Sequence, residues 1–235
     1  MLVKNGLSLP GWRDFERAAA DAFGGIASES KAIFDVVCPH PYDPNRGIGL
    51  SCKMRGELKR VGRDGRVTIE VSNSAGEFWK QLNLLGLTQA NYKDHPARAG
   101  AGVIHLVEKW HEGSAKIVDL EQSSFLVLLW ALPQQYQLFQ YSLTMPDPET
   151  IEWSCPAPKN ASRNEASRLL GTFNGGPLIE WYPGSGGQLK YFPLASDALW
   201  SSSIFTLEPL PTNIQYGTAA KAATYFPSKW NEANK

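Results

Sequence analysis

Ser51 and Lys53 stand two residues apart in Gly-Leu-Ser-Cys-Lys-Met-Arg, a stretch whose alternation predicts a strand with both side chains on one face. Asp35 interrupts the apolar run Ala32-Ile-Phe-Asp-Val-Val-Cys38, where an unpaired carboxylate is unfavourable. Lys53 interrupts a second apolar segment, so both charges need partners. A carboxylate, an ammonium group and the Cys52 backbone carbonyl on neighbouring strands are the parts that metal-assisted phosphodiester hydrolysis requires. Carboxylate and carbonyl oxygens hold one or two Mg2+ ions. The ammonium offsets phosphate charge and helps lower the pKa of an attacking water. A buried structural ion pair explains Asp35 and Lys53 equally well on pattern alone.

Two further acids compete for a place in such a site. Glu70, in Thr68-Ile-Glu-Val-Ser, follows the turn signal Arg63-Asp-Gly-Arg and supplies a second acid if that signal makes a hairpin. Its alternation with Ile69 and Val71 equally suits a solvent-facing position. Asp43, in Pro-Tyr-Asp-Pro, is an alternative first acid, or simply a turn residue. Arg55, Lys59, Arg60, Arg63 and Arg66 join Lys53 in the densest basic cluster of the chain. It reads as a solvated hairpin or, beside a metal site, as a grip on phosphates. The four histidines show no metal-ligand spacing, and His105 and His111 read as ordinary surface or core residues. Gly184-Ser-Gly-Gly187 lacks the Lys-Ser/Thr ending of a phosphate loop, so no nucleotide cofactor is expected.

The spacing Asp-Xn-Ser-Cys-Lys resembles the PD-(D/E)xK nuclease motif. Gly-Ile-Gly-Leu-Ser-Cys-Lys-Met-Arg, followed by Ile-Glu-Val-Ser-Asn-Ser-Ala-Gly-Glu-Phe-Trp, is similar to type II restriction endonucleases of that superfamily. Tyr136-Gln-Leu-Phe-Gln-Tyr and Leu189-Lys-Tyr-Phe-Pro-Leu-Ala share the likeness. It is strong over residues 33–79 and loose elsewhere. The resemblance implies Mg2+-dependent, sequence-specific hydrolysis of double-stranded DNA by a homodimer. It makes Asp35 (or Asp43) a metal ligand, with Glu70 and the Cys52 carbonyl beside it, and Lys53 the water-orienting cation. Ser51 stands where the family usually carries an acid. The missing carboxylate then comes from another element, Glu70 before Glu77, with Glu16 reaching the site through water and Ser51 left as a hydrogen bonder. Arg55, Lys59, Arg60 and Arg63 become the DNA-binding set. A structure-specific or repair nuclease of the same fold is the nearer alternative. A non-enzymatic, aromatic-rich protein binding sugars or peptides is the more distant one.

These side chains need a scaffold, and the apolar patterning supplies one. Helices are predicted over 11–23, 74–85 and 97–110, and strands over 32–38, 47–54, 67–73, 124–132 and 136–144. Short strands follow at 178–182, 189–192 and 204–207 among many Pro, Gly and aromatic residues. The expected fold is α/β, a mixed central β-sheet flanked by helices in a restriction-endonuclease-like core, with an irregular β-rich C-terminal part. The 235 residues read as a single domain, its catalytic core at about 10–145 and a DNA-recognition part at about 146–235. Lys and Arg equal Asp and Glu at 23 each, so any polyanion binding must come from a local patch. Three unevenly spaced cysteines argue against disulfides or a Cys-based zinc site. The chain carries no signal-peptide pattern or membrane-length apolar run, and a cytoplasmic location is expected.

Overall fold

A computed structural model describes residues 2–4, 7–9, 11–28, 33–157 and 168–207. Ala32 of the first predicted strand lies outside them. A small hairpin of β1 (Leu2–Lys4) and β2 (Leu7–Leu9) precedes α1 (Trp12–Phe23). Phe15, Glu16, Ala19 and Ala20 form the buried face of α1, and Gly24 ends it in the left-handed region at φ 63°. β3 (Ile26–Ala27) and β4 (Val36–Pro39) pair antiparallel.

β4 is shorter than the predicted strand, and Asp35 lies just before it rather than inside it. Its carboxylate explains the late start. On β5 (Gly47–Arg55), the Leu50 carbonyl accepts the Asp35 N–H, so even-numbered residues of β5 direct their backbone groups towards β4. At Cys52 the acceptor for that row is Asp35 Oδ2, 2.8 Å away, in place of a further β4 carbonyl. β5 is also drier than its alternation suggests. It lies between β4 and a parallel neighbour, with Leu50 to Cys52 all buried.

The Asp-Gly signal does not make a hairpin. Residues 58–64 form α2 (Leu58–Asp64), and Gly65 closes it at φ 69° with its N–H on the Val61 carbonyl. Positive φ is the common requirement of a tight hairpin and a helix C-terminus, so the dipeptide does not distinguish them. β6 (Ile69–Asn73) therefore leaves the sheet that holds β5. α3 (Ala75–Leu84) and α4 (Pro96–Gly113) follow, then the hairpin β7 (Ser124–Ala131) and β8 (Gln135–Ser142). β9 (Glu152–Ser154), β10 (Leu169–Phe173), β11 (Gly176–Tyr182) and β12 (Gln188–Tyr191) come next, with β13 (Trp200–Ser201) and β14 (Phe205–Thr206) last.

Two sheets result. The seven-stranded one runs β13-β8-β7-β5-β4-β3, with β14 also on β8. Its β5–β7 pair is parallel and the rest are antiparallel, so the sheet is mixed. The apolar run of β7 is buried on both faces, as expected of a central strand. The second sheet, β6-β12-β11-β10-β9, is wholly antiparallel and gives the C-terminal part more order than its composition suggests. α1 covers one face of the mixed sheet through Phe15 and Ala19, against Leu50, Cys52, Leu126 and Leu128. Phe125, Val127 and Leu129 on the other face pack with Ile69 and Val67. α3 and α4 pack on the second sheet, where Trp181 meets Phe78, Trp79 and Tyr92 at centroid distances of 5.0–6.1 Å. The mixed sheet flanked by helices is thus an α/β architecture. No helix among the described residues is long and apolar enough to cross a membrane.

The glycines of α4 mark a close helix–sheet contact. A Cβ at Gly100 would lie 2.3 Å from the indole ring atoms of Trp153. Helix propensity alone predicts that Gly100→Ala stabilises, by up to about 1 kcal/mol. Overpacking against a rigid ring costs about 1–3 kcal/mol and outweighs it. Gly100→Ala is therefore expected to lower the midpoint of thermal unfolding by a few degrees; an increase would mean that the α4–β9 contact is loose enough to admit a methyl group.

Candidate active site

Ser51 and Lys53 are odd-numbered residues of β5 and leave the mixed sheet on the face opposite α1, towards the second sheet and α4. Asp35 Oδ2 accepts hydrogen bonds from the Cys52 N–H and from Lys53 Nζ, at 2.8 and 3.2 Å. The pair sits in a partly open position, the side chains 26% and 18% exposed for Asp35 and Lys53. It forms a ridge between two lobes of one cleft, which share Asp35, Lys53, Val71 and Ser72. The outer lobe, about 640 Å³, adds Arg13, Glu16, Arg55 and Glu70. The inner lobe, about 350 Å³, adds Ser51, Glu77, Trp110 and His111.

Glu70 reaches the cleft from β6, in the other sheet, and not across a hairpin. Its Oε2 is 2.6 Å from Arg55 Nη1 and its Oε1 accepts from Asn73 Nδ2. Glu77 lines the inner lobe but pairs with Lys80 at 2.7 Å and is half exposed. Glu16 is only 4% exposed, a rare burial for a glutamate, and is held by Arg13 at 3.4 Å. It lies close enough to Cys52 for its charge to act on that thiol. Burial above all, then Asp35, pushes the Cys52 thiol up to about 12, with Glu16 adding to the effect and Lys53 opposing it. Cys52 is therefore a neutral thiol, and only its backbone carbonyl suits a hard cation. Asp43 is placed elsewhere. It forms a turn in which its Oδ1 accepts the Asn45 N–H, and it lines neither lobe.

The basic cluster is mostly neutralised within the protein. Arg55 pairs with Glu70 and Glu57, and Arg60 with Asp64 at 3.1 Å while it covers the Phe192 ring. Arg66 donates to the Phe192 carbonyl. Lys59 and Arg63, exposed on α2, remain the members best placed to meet a phosphate.

Comparison with family models, curated proteins and solved structures returns no match. Among the described residues no group of three or more His, Cys, Asp or Glu side chains is placed to hold a metal ion. The donor set at the ridge is smaller. Asp35 Oδ1 makes no hydrogen bond among the described residues, and the Cys52 carbonyl shares the edge of β5 to which its N–H points. These two hard oxygens suit an octahedral cation that retains several waters, as Mg2+ does. They do not suit a softer metal that needs nitrogen or sulfur ligands.

His111 is the site residue that motif reasoning passed over. It extends the i, i+4 row Ala99, Val103, Val107 along the buried face of α4, a periodicity legible in the sequence. Its ring lies between Phe34 and Phe125, with centroids 6.3 and 5.9 Å away. Burial, aided by the Lys53 ammonium, pushes this imidazole down to about 4 and keeps it neutral near pH 7.

Proposed function

We propose that the chain is a Mg2+-dependent endonuclease with a restriction-endonuclease-like core, hydrolysing phosphodiester bonds of double-stranded DNA in the manner of type II restriction enzymes. The observation that carries this reading is the Asp35–Lys53 ridge, an acid and an ammonium 3.2 Å apart at the mouth of a cleft between two sheets. Asp35 and the Cys52 carbonyl would hold the ion, with Glu16 and Glu70 lining the adjoining lobe. Bound there, Mg2+ supplies an activated water and neutralises charge on the phosphoryl group.

The side chains provide the rest. Asp35 holds the Lys53 ammonium at the ridge, where it can donate to the attacking water or a phosphoryl oxygen and offset the developing charge. The low exposure of both groups strengthens that interaction relative to bulk water. The reaction leaves a 5′-phosphate and a 3′-hydroxyl. Lys59 and Arg63 contribute backbone contacts that weaken with salt. A twofold homodimer reading a palindromic site is the form that symmetry favours.

The test is incubation with mixed-sequence duplex DNA and Mg2+ or Mn2+. Discrete fragments support site-specific cleavage, and sequence-independent degradation supports a repair-type nuclease of the same fold. No cleavage with any divalent cation overturns both readings and leaves Asp35–Lys53 an inert ion pair in a binding protein.

A further inference from the structure

We propose that the inner lobe, floored by Ser51 and His111, binds one unstacked nucleobase whose sugar–phosphate passes Lys53. The identity of the ligand rests on the nuclease reading; the existence of a polar binding pocket does not. Ser51 is 4% and His111 8% exposed, and both border this lobe. Neither the Ser51 hydroxyl nor either ring nitrogen of His111 has a hydrogen-bond partner among the described residues. Neither group is sealed from solvent: both open into the lobe, where their hydrogen-bonding capacity is available to a ligand's polar edge. Val71, Val107 and Trp110 give the same lobe an apolar side.

The chemistry of this lining narrows the occupant. A purely aliphatic ligand would leave Ser51 and His111 unsatisfied. A free anion would gain only Lys53, already engaged by Asp35, and would meet Glu77 in the same lobe. A heterocyclic base has apolar faces and an edge bearing both donors and acceptors. The serine hydroxyl and a neutral imidazole can each donate and accept, so they suit such an edge without demanding one base. A volume of about 350 Å³ accommodates a base with its sugar and is far too small for a base-paired duplex. The nucleotide at Lys53 therefore enters unstacked, from a single strand or rotated out of a duplex.

Calorimetric titration of the full chain with deoxyadenosine 5′-monophosphate and thymidine 5′-monophosphate, against deoxyribose 5-phosphate, tests this directly. Both nucleotides are expected to bind at least about tenfold more tightly than the base-free sugar phosphate, as aromatic and apolar contact with one base allows. Ser51→Ala and His111→Asn should each weaken nucleotide binding about three- to tenfold, and leave sugar phosphate binding unchanged. Equal affinity for nucleotide and sugar phosphate overturns the proposal, as does unchanged binding by a folded Ser51→Ala protein. DNA cleavage is scored separately. Nucleotide binding that depends on Ser51, without cleavage, sinks the nuclease reading alone; cleavage without such binding sinks the pocket alone.

Discussion

Lys53→Met is expected to slow Mg2+-dependent DNA cleavage by at least about a hundredfold while leaving the protein folded. The kinetic loss follows from position. Lys53 is the cation at the ridge, and the nearby arginines at 55 and 60 are committed to Glu70, Glu57 and Asp64. Among the described residues, the other cations lining the cleft, Arg13 and Arg55, are each paired with a glutamate. The structural loss is smaller, because Asp35 keeps its hydrogen bond from the Cys52 N–H after Lys53 is gone. A pair with this partial exposure is worth roughly 1 kcal/mol, above a surface pair and well below a fully buried one. Asp35→Asn is the companion variant; it preserves shape and removes the charge that suits a cation. Single-turnover cleavage and thermal unfolding of the three proteins, measured together, decide the matter. Wild-type cleavage by Lys53→Met would show the ion pair to be structural.

The strand period of two makes the ridge legible in the amino-acid sequence. It places Ser51 and Lys53 on one face, and the cost of a lone charge in an apolar segment pairs Lys53 with Asp35. The register of Asp35 is not legible, because a side chain standing in for a backbone acceptor leaves no periodic trace. The Asp-Gly turn misleads for a related reason: helix ends and hairpins make the same local demand for positive φ. That local choice decides sheet membership. With α2 in place of a hairpin, β6 joins β12 instead of β5, and Glu70 approaches from the opposite wall with Arg55 and Asn73 attached. Whether Glu70 can act as the relocated acid thus depends on displacing those partners, which no sequence pattern encodes. The proposed function stands on the ridge and its cleft.

His111 supplies the second large expected effect, on stability against pH. An unfolded chain titrates an ordinary histidine near 6.5, whereas burial and Lys53 bring His111 down to about 4 in the folded protein. Between these values the unfolded state binds more protons, so stability rises with pH across that window. The contribution is complete above about pH 6.5 and is lost as pH falls towards 4, amounting to about 3 kcal/mol. Carboxylates such as Asp119 add their own slope at the acid end, so the difference between wild type and His111→Gln is the useful quantity. Denaturant unfolding at intervals from pH 7 to 4 should show the variant's stability falling less steeply, the two curves converging at low pH. Lys53→Met should also flatten the wild-type slope, because the ammonium is one of the two causes that hold His111 down. Parallel curves for wild type and His111→Gln would mean that the imidazole is hydrated, and that the inner lobe is more open than its lining implies. A slope that responds to both substitutions would instead tie the neutral histidine to the ridge, making the inner lobe and the Asp35–Lys53 pair one electrostatic unit.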